Sequence, residues 1–438
     1  MKKIFRKIFS IKDLDNNKSN KLITIFGLKF IYYGYISRSQ RCYKKTLKQL
    51  KKELKFRKLN ITFMVGLSSF FPARALLDYL LKNGACNVKI LLLRDLRFDE
   101  KLYHKTYEEL ILSYPKGIIV KAPLNNTEDN IDLKSFTDIM FCPLPYPNCF
   151  GNKYNADELA KNGILTVLSN YGYFRSQYDK TIIESVEYSS YWKVFLESFH
   201  IMDLCKKYQI IKGKNCEVVG YCKMDNYKNA KNVNDKNYKK TIIIAPHHSV
   251  IGGYNRTMHL SNFFKYAELF LKLPDIYPDV KFIFRPHPAL FACLSQDNFW
   301  GKNKVDDYVM EMKKKKNVVY SDNGNYFAEF AQSDGIIDDC GSFLVEYFYT
   351  YKPQCYMLKS QEGLDEIFLP FGKECLEHCY KAFSDKDIIY FIDNVILGEV
   401  DIMKNDREKF ANEKVMLNYP NVSKKIYEYI SIELGIGK

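Results

Sequence analysis

The chain has 438 residues, too many for one ordinary domain, so two or three domains are expected. Its formal net charge is +15, but residues 1–58 hold 18 Lys or Arg against 3 Asp or Glu, and the remaining 48 basic and 48 acidic residues cancel. A neutral body with one basic arm argues against a nucleic-acid-binding groove, and no nucleic acid partner is expected.

The basic arm, residues 1–58, predicts contact with an anionic membrane surface. On a helix its first apolar residues share one stripe flanked by lysines and arginines, namely Ile4, Phe5, Ile8 and Ile11. Arg6 and Lys7 interrupt that stripe, which argues against a secretory signal, and no apolar run is long enough to span a bilayer. Residues 21–35 have an extended pattern, and residues 38–58 have apolar residues at helical spacing.

A first α/β domain is predicted over residues 59–214. Apolar runs at 61–66, 88–93, 138–142 and 164–168 indicate strands, and residues 73–82 indicate a helix ended by Gly84. Ser68 lies in the first strand–helix loop, where an anion could meet helix amides, although a plain turn fits equally well. Residues 188–209 predict one long amphipathic helix, and residues 212–215 a hinge.

A second α/β domain is predicted over residues 215–400, with further helices at 401–438. β-branched apolar runs alternate with helical segments, which indicates a parallel sheet with strands at 241–245, 280–284, 317–320, 335–338 and 354–358. In such sheets ligands bind outside the carboxyl ends of the strands. The residues that follow these strands are therefore the candidates for the chemistry.

Three of these strands end in residues suited to gripping phosphate. Pro246, His247 and His248 follow the first, and Arg285 and His287 follow the second within Arg-Pro-His-Pro. Around the third strand end and just beyond it come the remaining candidates, Asp339, Gly341, Ser342, Glu346 and Lys352. An Arg can pair bidentately with phosphate, a His can donate to a phosphate oxygen, and a helix start at Ser342 offers amides.

Structural explanations compete with these functional ones. Arg-Pro-His-Pro could be a rigid turn with a structurally bonded His, and Glu346 could steady the loop instead of contacting ligand. Asp338 and Asp339 suggest a metal site, but neighbours on a strand point opposite ways, so no metal is assigned. The twelve cysteines contain no Cys-x-x-Cys pair, which favours reduced thiols over a zinc site or disulfides.

The order of these motifs resembles that of the CDP-glycerol glycerophosphotransferase family, the teichoic-acid and capsule transferases of bacterial envelopes. The third block carries the most specific match, through Asp339, Ser342, Glu346, Tyr347, Lys352 and Pro353. The resemblance implies a GT-B-like α/β fold, with two Rossmann-type parallel-sheet domains facing across a cleft and a basic N-terminal extension. It also implies that one helix within 401–438 packs back on the N-terminal domain.

The resemblance also implies roles for the site residues. His287, Arg285 and His247 would be catalytic, and the donor would contact Pro246, His248, Asp339, Gly341, Ser342, Glu346 and Lys352. On the acceptor side would lie Ser68, Tyr171 and Gly172. Tyr171 stands near the place where family members carry the His of a His-Gly pair, and a phenol is a poor base at neutral pH, so no general base is assigned.

The function expected from this resemblance is transfer of glycerol phosphate, or a similar polyol phosphate, from a CDP-activated donor to a glycan or lipid-linked acceptor. No cofactor is required, and a divalent metal is possible but not favoured. The protein is expected in the cytoplasm, peripheral on the inner face of the membrane. Two alternatives stay open: a GT-B glycosyltransferase that uses a nucleotide sugar, and a non-catalytic partner in envelope assembly.

Overall fold

The structure is a computed structural model, and it describes residues 9–14, 20–26, 28–125, 131–146, 148–170, 172–232, 235–250, 259–322 and 324–436. Internal contacts divide the chain into two compact units. The first unit comprises Met1–Tyr171, Ile182–Lys223 and Asn421–Lys438. The second unit comprises Gly172–Thr181 and Met224–Pro420.

The first unit is built on a seven-stranded sheet of β4 (Leu59–Val65), β5 (Cys86–Leu92), β6 (Ile119–Lys121), β7 (Ile139–Cys142), β8 (Leu165–Ser169), β9 (Lys193–Leu196) and β10 (Cys216–Val218). These strands all pair in parallel, in the order β10-β9-β8-β7-β4-β5-β6. Both faces of a parallel sheet are covered, which explains the nearly continuous apolar runs in β4, β7 and β8.

Helices cover this sheet on both faces. They are Gly34–Glu53, Arg74–Asn83, Glu100–Ser113, Ala156–Lys161, Val186–Ser190, Phe199–Tyr208 and Val422–Leu434, with short 3₁₀ turns at Ser68–Phe70, Lys116–Ile118, Leu133–Ser135 and Asn152–Tyr154. The helix Val422–Leu434 packs on Arg74–Asn83, where the rings of Tyr79 and Tyr427 lie 6.1 Å apart. The last helix of the chain therefore belongs to the first unit.

The N-terminal part of the chain forms an antiparallel sheet of three strands, here called the meander: β1 (Phe9–Asp13), β2 (Asn20–Ile25) and β3 (Leu28–Tyr33). It leads directly into Gly34–Glu53, here called the basic helix. The extended pattern predicted for residues 21–35 is confirmed over Asn20–Ile25 and Leu28–Tyr33, and it ends where the basic helix begins at Gly34. The helical stripe predicted to include Ile11 is wrong at that residue, because Ile11 lies in β1. The other three residues of the stripe, Ile4, Phe5 and Ile8, lie outside the described residues.

The basic helix is part of the first unit's core, which corrects the prediction that residues 1–58 form a separate extension. Ile36, Tyr43 and Leu50 are at most 4% exposed, and the Tyr43 hydroxyl lies 2.6 Å from the Thr166 hydroxyl of β8. The helix therefore uses its apolar stripe to cover the sheet and turns its lysines outward.

The second unit contains a six-stranded sheet of β11 (Lys240–Ala245), β12 (Val280–Phe284), β13 (Val318–Tyr320), β14 (Gly335–Asp338), β15 (Gln354–Met357) and β16 (Tyr380–Ala382). Its described strands also pair in parallel, in the order β13-β12-β11-β14-β15-β16. The five predicted strands are confirmed, and β16 was missed. The central strand β11 is flanked by β12 and β14, so the three motif-bearing loops leave adjacent strands.

Helices flank this second sheet as the alternating pattern predicted. They are Phe263–Ile276, Leu290–Leu294, Gly301–Lys314, Phe327–Gln332, Phe343–Glu346, Leu364–Ile367, Pro370–Glu377, Asp385–Tyr390 and Lys404–Phe410, with π-helical turns at Phe391–Leu397 and Ala411–Val415 and a 3₁₀ turn at Tyr347–Thr350. The chain passes from one unit to the other within two elements, the helix Gln177–Ile183 and the 3₁₀ turn Cys222–Asn229. Nowhere in the described chain does a helix combine the length and hydropathy needed to cross a bilayer.

Two predictions about the junction between the domains were wrong. The long helix predicted at 188–209 is split by β9, a four-residue strand that pairs with β8 and β10. A short apolar run has no period of its own, so pairing on both sides decides its structure. Residues 216–218, predicted to open the second domain, form β10 of the first sheet. No cysteine in the described part of the chain forms a disulfide bond.

Candidate functional site

The loops that follow β11 and β12 bring three histidines together at the carboxyl edge of the second sheet. One ring nitrogen from each of His247, His248 and His287 lies within 4.8 Å of the others. The ring centroids of His248 and His287 are 4.0 Å apart, and those of His247 and His287 are 5.1 Å apart. Since β11 and β12 are hydrogen-bonded neighbours, their carboxyl ends must carry these loops side by side. We call these residues the histidine cluster.

Backbone hydrogen bonds hold the cluster in place. The amide of His287 donates to the carbonyl of Pro246 over 2.9 Å, which ties the second loop to the first. The amide of His247 donates to Oδ1 of Asp339 over 2.6 Å, and Oδ2 of Asp339 accepts from the amide of Asn262. Asp339 is completely buried. Asp339 therefore connects the end of β14 to the loop that carries His247. The role of Pro246 is to supply the carbonyl that accepts from His287.

The hydrogen bonds also fix which ring nitrogen carries the proton. The amide of Ser249 donates to Nδ1 of His247 over 3.2 Å, and the amide of Ala289 donates to Nδ1 of His287 over 3.1 Å. A backbone amide can only donate, so both Nδ1 atoms are acceptors and the proton of each neutral ring sits on Nε2. His247 and His287 therefore offer Nε2–H groups as donors without having to be charged.

Burial keeps these rings neutral. It lowers the pKa of His287 to about 3, because a proton there would also be repelled by His248 if that ring were protonated and by Arg285, and it lowers the pKa of His248 to about 4. Burial holds the pKa of His247 well below its usual range, and a proton there would also be repelled by a protonated His287 or His248 and by Arg175. The same burial raises the pKa of Asp339 to about 7, against the hydrogen bonds that it accepts.

The histidine cluster is also the one group of three potential metal ligands found among the residues that the structure describes. A metal on Nε2 of His247 or His287 would require the proton to move to Nδ1, where an amide already donates. The local geometry therefore favours a cluster that donates hydrogen bonds to an anion over one that coordinates a cation. Asp338 and Asp339 do not form a shared site, since Asp338 accepts from Gln354 and Cys340.

Arg175 is a residue that the sequence analysis missed. Its guanidinium lies against Gly341, so closely that a Cβ at Gly341 would fall 1.6 Å from Nη2. A Cβ at Gly172 would lie 2.9 Å from the Ser342 hydroxyl. Gly172, Arg175, Gly341 and Ser342 therefore form one close-packed corner of the second unit, in which glycine is needed for the close approach. Arg175 is held by Asp179, 3.1 Å away.

Arg285 is engaged within the protein. Its Nη1 donates to both carboxylate oxygens of Glu329 over 2.9 Å and to the Ser321 hydroxyl over 2.7 Å, and its guanidinium lies over the ring of Tyr326. Glu329 is 7% exposed and was not a sequence candidate. The predicted contact between Arg285 and phosphate stays a prediction. The ion pair indicates a positioning role for Arg285 beneath the His287 loop.

Two further candidates lie away from the ligand edge. Glu346 is completely buried and accepts a hydrogen bond from the Tyr326 hydroxyl, which supports the structural explanation given for it. Lys352 precedes β15 and so lies at the amino edge of the sheet, opposite the histidine cluster. Its Nζ donates to the carbonyls of Phe330 and Ala331 at the end of a helix. The prediction that Lys352 binds donor is therefore wrong, and it caps that helix.

The two described acceptor-side candidates belong to different units. Ser68 lies in the first unit and donates to the Glu109 carboxylate. Gly172 lies in the second unit beside Ser342. Tyr171 lies outside the described residues. The general base therefore stays unassigned.

The comparison with known proteins identifies the fold class. No protein-family model and no curated protein matches the sequence. The wall teichoic acid polymerase TagF matches with a TM-score of 0.58 at 12% identity, over 92% of this chain and 98% of that chain. A variant of TagF soaked with CDPG matches with a TM-score of 0.57, also at 12% identity and over the same shares of the two chains.

Nucleotide-sugar epimerases match over a similar span. The UDP-GlcNAc 2-epimerase of Neisseria meningitidis, bound to UDP-GlcNAc, has a TM-score of 0.52 at 15% identity, over 85% of this chain and 99% of that chain. The S. aureus MnaA–UDP co-structure has a TM-score of 0.51 at 14% identity, over 87% and 98% of the two chains. At these identities the likeness concerns the fold. The chain therefore has the GT-B-like α/β fold that its motif order predicted, with a parallel sheet in each of its two units.

Proposed function

We propose that this protein is a transferase of bacterial surface-polymer biosynthesis. It moves glycerol phosphate, or a similar polyol phosphate, from a CDP-activated donor to a hydroxyl of a glycan or lipid-linked acceptor and releases CMP. The observation that supports this most strongly is the histidine cluster, because its neutral Nε2–H donors lie at the ligand edge of a parallel sheet. The likeness to TagF, over nearly the whole chain, supports the same class of reaction.

In this reaction the acceptor oxygen attacks the phosphorus that carries the glycerol. The bond between that phosphorus and the oxygen of CMP breaks, CMP leaves with the electron pair, and the hydroxyl proton passes to a base that is not assigned. Catalysis of such transfers consists mainly of positioning and of stabilising charge on the phosphoryl oxygens. His247 and His287 would donate to those oxygens from Nε2, and His248 would add a third imidazole.

The corner around Ser342 would hold the other end of the diphosphate. Ser342 is partly exposed, and the guanidinium of Arg175 lies on the neighbouring backbone at Gly341. A fixed positive charge next to a hydroxyl donor suits a diphosphate that gains charge as CMP departs. Asp339 would act through the loop it braces, since both of its oxygens already accept from backbone amides.

A nucleotide-sugar enzyme is the second candidate. The fold also matches UDP-GlcNAc 2-epimerases, and the same donors would hold the diphosphate of a UDP-sugar. The two candidate reactions differ in their base and in their leaving group. The geometry of the histidine cluster does not require a contact with the base or with the leaving group. The donor must therefore be identified by experiment.

The test is a transfer reaction with purified full-length protein, bacterial membranes as acceptor, and a panel of CDP-glycerol, CDP-ribitol and UDP-GlcNAc. The proposal predicts CMP release from a CDP-polyol that depends on acceptor, with labelled polyol phosphate entering the acceptor. His287→Ala should lose this activity. His104→Ala is the matched control, because His104 is an exposed histidine of the first unit.

Turnover of UDP-GlcNAc without turnover of any CDP-polyol would replace the proposal with the nucleotide-sugar candidate. If no donor is turned over and no nucleotide binds, the remaining interpretation is that the protein is a non-catalytic partner in envelope assembly.

A further inference from the structure

The meander has two chemically different faces. In an antiparallel sheet, directly paired residues lie on the same face and neighbours along a strand lie on opposite faces. The register pairs Ile11 with Ile23 and Ile23 with Phe30, and it pairs Ile25 with Leu28. These five residues, Ile11, Ile23, Ile25, Leu28 and Phe30, form the apolar part of one face, here called the apolar face. Asp13, Lys21 and Tyr32 pair with one another at its other end.

The opposite face is mixed, with lysines and hydroxyls beside Leu22 and Ile31. There the register pairs Lys12 with Leu22 and Leu22 with Ile31, and it places Ser10, Thr24 and Lys29 in a second row. A half-buried antiparallel sheet normally turns its apolar face inward. Here that face is open, since Ile11 is 52% exposed, Leu28 64% and Phe30 52%. Phe26, at the turn between β2 and β3, is 78% exposed.

An open apolar surface of this kind marks an interaction site. The charge around it indicates the partner. The basic helix begins one residue after β3 and exposes Arg41, Lys44, Lys45, Lys48, Lys51 and Lys52, whereas Glu53 is its one acidic residue. Residues 1–58 as a whole hold 18 basic and 3 acidic residues. A surface that combines exposed aliphatic and aromatic side chains with dense positive charge matches the interface of an anionic bilayer.

We infer that the apolar face of the meander docks this protein on an anionic phospholipid bilayer. The side chains of Leu28 and Phe30 enter the boundary between headgroups and acyl chains, and the surrounding lysines contact the lipid phosphates. The element responsible is thus a folded sheet joined to the core by the basic helix. This inference does not depend on the reaction proposed above.

The chain offers a matched pair for the test. Phe30 and Ile31 are adjacent, each is 52% exposed, and they lie on opposite faces. Co-sedimentation of the full-length protein would be measured with vesicles of phosphatidylglycerol and phosphatidylcholine in equal parts, and with vesicles of phosphatidylcholine alone. We expect Phe30→Ser to lower the partition coefficient on the anionic vesicles about tenfold, and Ile31→Ser to leave it within about twofold.

A second readout guards against misfolding of one variant. Phe30→Trp and Ile31→Trp would each be compared with the wild-type protein, which has two tryptophans. Anionic vesicles should shift the added emission of Phe30→Trp to the blue and leave that of Ile31→Trp unchanged. The inference is overturned if both serine variants bind as the wild type does, or if phosphatidylcholine alone binds the wild type equally well. It is also overturned if the free protein is a dimer that Phe30→Ser converts to a monomer, because the face would then serve self-association.

Discussion

The two parallel sheets of this molecule end in very different chemistry. At the carboxyl edge of the second sheet, His247, His248 and His287 meet, with two of their protons fixed on Nε2. At the same edge of the first sheet, Ser68 is engaged with Glu109, and Asn170 follows β8 as a buried amide. The architecture is shared, so the difference resides in the loops. A fold of this kind fixes where ligands can bind, and the loop residues decide what binds.

The largest expected effect on turnover comes from a substitution at the carboxyl edge of the second sheet, compared with one at the carboxyl edge of the first sheet. His287→Ala removes an Nε2–H donor, and loss of one such donor from a phosphoryl or oxyanion site lowers turnover about a hundredfold or more. Ser68→Ala removes a hydroxyl that already serves Glu109, and it should change turnover by less than about threefold. Both variants would be assayed for CMP release from CDP-glycerol. Equal losses in the two would show that the first edge contributes to the reaction as much as the second.

Acid should destabilise the second edge through its histidines. The pKa of His287 is about 3 in the folded protein, against about 6.5 for an unfolded histidine. Between these values the unfolded chain binds more protons, so the contribution of His287 is complete above about pH 6.5 and is lost as the pH falls toward 3. At about pH 4.5 the loss relative to neutral pH amounts to about 2.5 kcal/mol.

Urea unfolding at about pH 7 and about pH 4.5 measures this loss. His287→Gln should show a smaller fall in stability than the wild type, and His104→Gln should show the same fall. The raised pKa of Asp339 acts in the opposite direction, but it is common to all three proteins and cancels in the comparison. An identical fall in wild type and His287→Gln would contradict the assignment of a buried, neutral ring.

The Arg175 corner is tested by a single methyl group. Gly341→Ala places a Cβ where the Arg175 guanidinium lies, whereas Gly117→Ala in the first unit meets no atom within 4 Å. We expect Gly341→Ala to weaken donor binding at least about tenfold, about 1.4 kcal/mol, and Gly117→Ala to leave it unchanged. Calorimetric titration with CDP-glycerol measures both. Unchanged affinity in Gly341→Ala would remove Arg175 and Ser342 from the donor site.

The smallest effect on function should come from the amino edge of the second sheet. Lys352→Met removes the donor that caps the helix Phe327–Gln332, so we expect a loss of about 1 kcal/mol in the free energy of unfolding. Burial lowers the pKa of Lys352 to about 8, which fits a partly desolvated cap. Donor affinity should stay unchanged. A clear drop in affinity without a drop in stability would restore the donor-binding role that the motif predicts for Lys352.

The fold was predictable where the sequence repeats one signal. Strands β11, β12 and β14 are β-branched runs ended by Pro or Gly, and the histidine cluster follows from their order because parallel neighbours share an edge. Strand β9 was not predictable, since four apolar residues carry no period and its pairing with β8 and β10 depends on distant segments.

The site was predictable in part for the same reason. Motif spacing located His247, His287 and Ser342, but Lys352 matched the motif while lying at the wrong edge of the sheet. Arg175 and Glu329 carry no motif of their own. They reach Gly341 and Arg285 from segments 166 and 44 residues away along the chain, through packing that a local pattern does not record.

We propose above that the histidine cluster receives the diphosphate of a cytidine nucleotide donor. The decisive experiment is calorimetric titration of the wild type and of His287→Ala with CDP-glycerol, CMP and UDP-GlcNAc. We expect the wild type to bind CDP-glycerol more tightly than CMP or UDP-GlcNAc, and we expect His287→Ala to lose this binding while His104→Ala keeps it. Equal binding of CDP-glycerol by wild type and His287→Ala would contradict the claim, and preference for UDP-GlcNAc would assign the same edge to a nucleotide sugar.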